Sequence, residues 1–293
     1  GITRERVRQI ENFALSAIKK ADAFKKENAV FEELNKLVVS MGGVVCEEDF
    51  LMHISKDAST QNHLFFLLVL GDQFKREKED ENFRHRWIVD DKVSMKVHDA
   101  IRELYKTLSH EDLIPESEIV ASFLNHLKDV SEEYKNEEIT KRWLSLSKTI
   151  AKNPLGEYGM AESHNVNARG MRDYAYLIIR KQGSPMHFTE VAKSITSVFG
   201  KKAHVATCHN ELIKDNRFVL VGRGLYALST WGYEKGVVKD VIAKVLKKEG
   251  SLTKKDIIDR VLKERHVKEN TVFVNLQDTK MFKRTKDGKY ALA

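Results

Sequence analysis

Proline occurs at only three positions in this 293-residue chain and cysteine at only two. So little proline beside many Lys, Glu and Leu favours a mostly helical protein. The cysteines, Cys46 and Cys208, stand far apart, and no CxxC or Cys/His ligand spacing occurs, which speaks against a zinc site. Two isolated thiols fit a reducing cytoplasm, where disulfides are rare. The longest apolar run, Leu64 to Leu70, is far too short to span a bilayer. No signal peptide is visible. Walker P-loop, GxGxxG, HExxH and GxSxG motifs are all missing. These absences lead to the expectation of a soluble, cytoplasmic protein that is not an enzyme, with no cofactor, no metal, no membrane contact and no small-molecule substrate.

Charge is abundant and unevenly placed. Charged residues make up 32% of the chain, hydrophobic ones 42%, and the net charge is +7. Residues 1–20 carry +3, residues 21–162 carry −9 and residues 163–293 carry +13. Basic ends attract phosphate at moderate salt, whereas an acidic middle is repelled by it and is better suited to packing or to a protein partner.

Most of the chain reads as one unit used four times. In the third copy a helix around Arg169–Arg180 is broken by Gly183-Ser184-Pro185. A second helix begins at Phe188, with Thr189 as the expected cap and Gly200 as its stop. A third helix covers Thr207–Lys214. Phe218–Val221 then turns at Gly222-Arg223-Gly224 into Leu225–Leu228. The fourth copy follows the same plan: helices over Val237–Lys248, Thr253–Leu262 and Thr271–Asp278, then a hairpin around Asp287-Gly288. The first copy places helices at Phe31–Met41, Glu48–Ile54 and Asn62–Leu70, with a charged wing from Phe74–Lys78 and Phe83–Val89. The second places them at Val97–Leu108, Glu116–Leu127 and Glu137–Leu146, ahead of Ile150. One constant interval links the third helix to the next apolar strand residue, in His63/Phe74, Ile139/Ile150, Thr207/Phe218 and Thr271/Phe282. Three helices and a hairpin make a winged helix-turn-helix. The predicted fold class is therefore mainly α with small β wings, in tandem winged helix-turn-helix domains.

Met186-His187-Phe188-Thr189-Glu190-Val191-Ala192, with the later Gly224-Leu225-Tyr226-Ala227-Leu228, resembles the HARE-HTH domain, the winged-helix module of the bacterial RNA polymerase delta subunit. The resemblance covers roughly residues 169–233. In a winged helix the third helix usually enters the groove and the wing touches backbone. That assigns phosphate contact to Lys201, Lys202, Arg217 and Arg223 in the third copy, and to Lys268, Lys283 and Arg284 in the fourth. His204, Thr207, His209, Asn210, Asn270, Thr271 and Asn275 lie at or beside the two third helices, and Lys286 and Lys289 on the last wing. In the first copy, Leu64–Leu70 leaves the third helix almost no polar face. It is expected to be buried between domains, with copies one and two meeting each other, RNA polymerase or another protein.

The most specific stretch is the first. Thr3 is a good N-cap, and Val7, Ile10, Ala14, Leu15 and Ile18 recur at helical spacing. Arg4, Glu5, Arg6, Arg8 and Gln9 lie off that stripe. Arg pairs with guanine, Gln with adenine, and Glu accepts from cytosine in the major groove. Thr3 to Glu11, preceded by Gly1-Ile2, resembles the recognition helix of region four of bacterial sigma factors, a helix-turn-helix that reads the promoter −35 element. That resemblance implies that Arg4, Glu5 and Gln9 face bases and that Arg6 and Arg8 lie near phosphates. Such a helix needs a bracing partner, so the chain is expected to begin inside the motif.

Other constellations are weaker. His204, Cys208 and His209 could make a Cys–His pair, but on a third helix they read as packing or DNA-facing groups. Glu47-Glu48-Asp49 and Glu132-Glu133 read as solvated faces. Trp87, Trp143 and Trp231 read as core or inter-domain residues rather than base-stacking ones. The expected organisation is a truncated recognition helix at 1–20, winged-helix-like repeats at 25–90 and 92–160, a HARE-HTH-like domain at 165–233 and a fourth repeat at 234–293. The expected function is a DNA-binding transcription protein with double-stranded DNA as partner and RNA polymerase core as a further one. A delta-like scaffold or the DNA-targeting part of a restriction or repair system are the alternatives.

Overall fold

The computed structural model describes residues 2–26, 28–233, 237–265 and 267–293. Gly1 and the first three positions of the fourth repeat, 234–236, lie outside the described residues. The protein is mainly helical, with small antiparallel sheets. It divides into two compact units, Gly1–Asn167 and Ala168–Ala293. No helix among the described residues is long and apolar enough to cross a membrane.

The first unit opens with α1 (Arg4–Lys20) and a short α2 (Asp22–Lys26). Copy one follows as α3 (Asn28–Ser40), β1 (Val44–Cys46), α4 (Glu47–Ile54), α5 (Ala58–Leu70), β2 (Lys75–Glu77) and β3 (Arg86–Ile88). Copy two comprises α6 (Asp91–Thr107), α7 (Glu116–His126), α8 (Glu137–Leu144), β4 (Ile150–Lys152) and β5 (Tyr158–Met160). The second unit holds copy three, α9 (Met171–Gln182), β6 (Met186–His187), α10 (Phe188–Phe199), α11 (Val205–Lys214), β7 (Phe218–Gly222) and β8 (Leu225–Leu228). Copy four is α12 (Val238–Glu249), α13 (Lys254–Glu264), α14 (Glu269–Leu276), β9 (Phe282–Arg284) and β10 (Tyr290–Leu292).

The interval falls at comparable places in the fold. Eleven positions separate a residue of each third helix from Phe74, Ile150, Phe218 and Phe282. All four of these residues are buried at or beside the start of the first hairpin strand. Each copy also has a feature the sequence did not reveal. A segment between the first and second helices pairs with the second hairpin strand. It is β1 on β3 in copy one and β6 on β8 in copy three, and single bridges Ile114–Tyr158 and Leu252–Tyr290 do the same in the other two.

Local chemistry fixes the helix starts. Thr3 Oγ1 accepts from the Arg6 N–H at 3.3 Å, and Asp57, Asp90, Asn136 and Thr253 cap α5, α6, α8 and α13 in the same way. Thr189 does not cap α10. The helix follows directly on β6, so the cap position falls to His187, whose ring nitrogen takes the Thr189 N–H at 3.4 Å and contacts its hydroxyl at 2.7 Å. Gly224 (φ +70°) turns over that ring, and a Cβ there would lie 2.5 Å from His187 Nε2, so the turn requires glycine.

Copies one and two share a core. Val44, Cys46, Phe83 and Ile88 of copy one join Val97, Ile101, Ile119, Phe123, Ile139 and Trp143 of copy two in a single buried cluster. Trp143 is fully buried and donates its Nε1–H to the Gly42 carbonyl at 3.2 Å. Gly42 adopts φ +109°, and a Cβ there would stand 2.7 Å from both Ile139 and Trp143. Burying one such aromatic contributes about 3 kcal/mol. Copies three and four keep separate cores, the one around Tyr174, Ile195 and Cys208, the other around Ile242, Ile257 and Val272.

Two expectations about apolar faces fail. The α5 helix is not enclosed between copies: Leu68 and Leu70 are buried, but Phe66 points outward at 44% exposure. The α1 stripe is not buried either. Val7, Ile10, Ala14 and Ile18 are exposed, and only Leu15 packs, against the copy-one core. Within the described residues no helix lies along the first half of α1 to cover it. Its far end is tied down by the ion pair Lys19–Asp72 at 2.5 Å.

Candidate nucleic-acid interface

The first half of α1 presents every polar side chain to solvent. Glu5 and Arg8 form a bidentate pair, with Nη2 to Oε1 at 2.9 Å and Nε to Oε2 at 3.0 Å. Gln9 donates to the same Glu5 carboxylate at 3.5 Å, and Arg6 donates to Gln9 at 3.4 Å. Glu5 and Arg8 are more than half exposed, so such pairs contribute only a few tenths of a kcal/mol (about 0.2–0.5) and exchange readily for other partners. Arg4 has no side-chain partner among the described residues. The structure therefore leaves Arg4, Glu5 and Gln9 on one open surface, with Arg6 and Arg8 bonded to that set rather than standing apart from it.

The four third helices differ sharply in what they offer. In copy two, Ile139, Thr140, Trp143 and Leu144 of α8 are buried, Trp143 against copy one. The cations on its outer face are matched internally, Lys141 by Glu116 and Glu137, and Arg142 by Glu138. In copy one, α5 presents Asn62, His63 and Phe66. Both α11 and α14 combine an open polar face with nearby cations that meet no carboxylate among the described residues, and α5 also exposes Ser59, Thr60, Asn62 and His63 beside Lys56. On α11, Thr207, Asn210 and Ile213 are exposed. On α14 the exposed residues are Glu269, Asn270, Thr271 and Val274, while the Asn275 amide is held by the Thr271 carbonyl at 2.7 Å.

Lys201 and Lys202 are exposed in the loop after α10, with Lys201 Nζ 5.1 Å from the centre of the Tyr174 ring. Arg223 is exposed at the β7–β8 turn. Lys268 occupies the exposed N-cap position of α14, and Lys283 and Arg284 are exposed on β9.

Arg217 is placed differently. It is bound to Asp215 at 2.7 Å and to Asp173 at 2.9 Å, and its guanidinium lies 5.3 Å from the Tyr176 ring. Burial alone would raise the Asp173 carboxyl. The Gly170 N–H and Arg217 more than offset it and hold the carboxyl below the ordinary range. Burial of Asp215 is likewise outweighed by Arg217. Asp173 also caps α9 through the Gly170 and Arg169 N–H groups, so this cluster ties the helix start to the hairpin. Arg217 is thus engaged by two carboxylates within the fold, unlike the exposed cations assigned with it to phosphate contact. Its neighbour two positions back, Asp215, carried the signal, but Asp173 is too distant in sequence to have been paired with it.

The other constellations resolve into packing. Cys208 is fully buried and its thiol is pushed up to about 11 by burial, so it stays protonated and unreactive at neutral pH. His209 stacks on Phe188 at 4.2 Å. Trp87 and Trp143 are buried and Trp231 half-buried against copy-three apolar groups. Glu47 holds Arg76 bidentately at 2.6 and 2.7 Å, and Glu132 pairs with Lys135. Among known proteins, no family model matches the chain and no curated protein is significantly similar to it.

Proposed function

We propose that this chain is a cytoplasmic, non-enzymatic DNA-binding protein of the transcription apparatus, sigma-like or accessory to initiation. Its four repeats are tandem winged helices. The α1 helix reads base edges through Arg4, Glu5 and Gln9, and copies three and four hold the phosphate backbone. The observation that carries this reading is the contrast among the third helices. The α8 face is closed, whereas α11 and α14 keep open polar faces flanked by Lys201, Lys202, Arg223, Lys268, Lys283 and Arg284, and they belong to the unit carrying +13. The first unit carries −6 and has used its second third helix to build its own core.

The test is titration of a fluorescent promoter duplex at several salt concentrations. The logarithm of the binding constant is expected to fall linearly with the logarithm of salt. Lys283→Ala with Arg284→Ala lowers the slope by about 1.8, at roughly 0.9 per phosphate contact. Arg4→Ala and Gln9→Ala change the sequence preference. Absence of salt-dependent binding would defeat the proposal, and an unchanged preference in both α1 variants would remove α1 as the reader.

A second reading, a delta-like partner of RNA polymerase core, is favoured by the outward Phe66 and Met52 of copy one, 44% and 50% exposed in an acidic unit. Exposed aromatic and methionine side chains are the kind enriched at protein interfaces.

A further inference from the structure

The exposed faces of α11 and α14 share a chemistry beyond positive surroundings. The fixed repeat interval makes their positions equivalent: Cys208 with Val272 and Leu212 with Leu276, all buried, and Thr207 with Thr271, both exposed. Each helix also exposes one amide without a partner among the described residues and one aliphatic side chain, though not at equivalent positions, since the interval pairs Asn210 with Val274 and Asn270 with Ala206. They are Asn210 and Ile213 (62% exposed) on α11, and Asn270 and Val274 (57% exposed) on α14. No arginine lies on either helix. Lys214, in the last turn of α11, is the one lysine on either helix. Glu269 occupies the first turn of α14, where the helix dipole favours it.

Base edges sort these side chains. Guanine is read by Arg or Lys. Adenine is read by Asn or Gln at N6 and N7, and the thymine methyl is met by small aliphatic groups and by the threonine methyl. An aliphatic side chain more than half exposed gains nothing in water and buries apolar area against a thymine methyl.

Resting on the DNA reading above, we infer that copies three and four select A·T-rich duplex. Asn210 and Asn270 bind adenine, and Thr207, Thr271, Ile213 and Val274 pack on thymine methyls. The wing cations hold the flanking phosphates without regard to sequence. On this scheme α1 supplies guanine contacts through arginine and the C-terminal copies supply A·T contacts, so the two ends of the chain read different composition.

The experiment compares the full chain on A·T-rich and G·C-rich duplexes of equal length at one salt concentration. A third duplex replaces every thymine by uracil, which removes only the methyl groups. The A·T duplex is expected to bind about fivefold tighter or more, and the uracil duplex to lose a large part of that advantage. The exposed double variant Asn210→Ala, Asn270→Ala is expected to keep the salt slope and lose the preference. Equal affinity for both compositions, with a steep salt slope, overturns the inference and leaves DNA binding standing. A preference that survives both the uracil duplex and the double variant also overturns it. Absence of binding to every duplex, with capture of RNA polymerase core, removes the DNA reading and this inference together.

Discussion

Acid should destabilise the first unit through one histidine. His98 on α6 is buried, its ring centre 4.2 Å from that of Phe83, and its Nε2 meets no hydrogen-bond partner among the described residues. Burial first, then the neighbouring Arg86, lowers its pKa from 6.5 to about 4, although Glu77 and Asp80 pull the other way. The native ring is therefore neutral at pH 5 while the unfolded one is charged. Between these two values the unfolded chain binds a proton that the native chain refuses. Stability from this site is then complete above pH 6.5 and falls by up to about 1.4 kcal/mol per pH unit down to pH 4. From pH 7 to pH 5 the loss is about 2 kcal/mol, and about 3 kcal/mol over the whole window. Urea unfolding in a Trp231→Phe background reads this directly, because the remaining emission comes from Trp87 and Trp143, both buried in the first unit. His98→Phe keeps an aromatic ring on Phe83 and removes the proton site. The variant should lose markedly less stability than the parent over pH 7 to 5. Parallel pH profiles for parent and variant would refute the reasoning, since the carboxylates titrate in both.

Three further outcomes follow from contacts already described. Arg217→Met leaves Asp173 buried without its cation and should cost roughly 3 kcal/mol of second-unit stability, while the salt slope of DNA titration stays that of the parent; a reduced slope would return Arg217 to the phosphate contacts. Gly42→Ala meets both a left-handed φ and the Trp143 ring, and should cost more than about 2 kcal/mol in urea unfolding; an unchanged midpoint would mean that the α3 end yields easily. Cys46 and Cys208 are buried with thiols raised mainly by burial, so Ellman's reagent should react with neither until urea unfolds the chain; fast reaction of the native protein would contradict the burial.

Local patterns carried most of the fold. Helix caps such as Thr3 and Thr253 sit within three residues of the groups they satisfy, and the interval from third helix to buried strand residue recurs within each copy. The exposure of the cations and amides on α1, α11, α14 and the last wing was legible because such side chains need no partner to be placed. What escaped was non-local. The pairing of β1 with β3 joins segments some forty residues apart, as Val44 with Ile88. The Trp143–Gly42 bond spans a hundred positions. The burial of Arg217 depends on Asp173, a residue of another helix. The outward turn of Phe66 ran against hydrophobicity, which supplies no direction along a helix that is apolar all round.

The inward turn of α8 has a consequence for how such a chain can change. A surface helix can drift in sequence and alter what it touches without disturbing the rest. With Ile139 and Trp143 closed on Gly42, copy two lacks that freedom, because any side chain that reopened the face would also pull copy one apart. The four segments are thus unequal in how freely they can change. Copies three and four remain free to acquire new surfaces one residue at a time, whereas copies one and two can only change together.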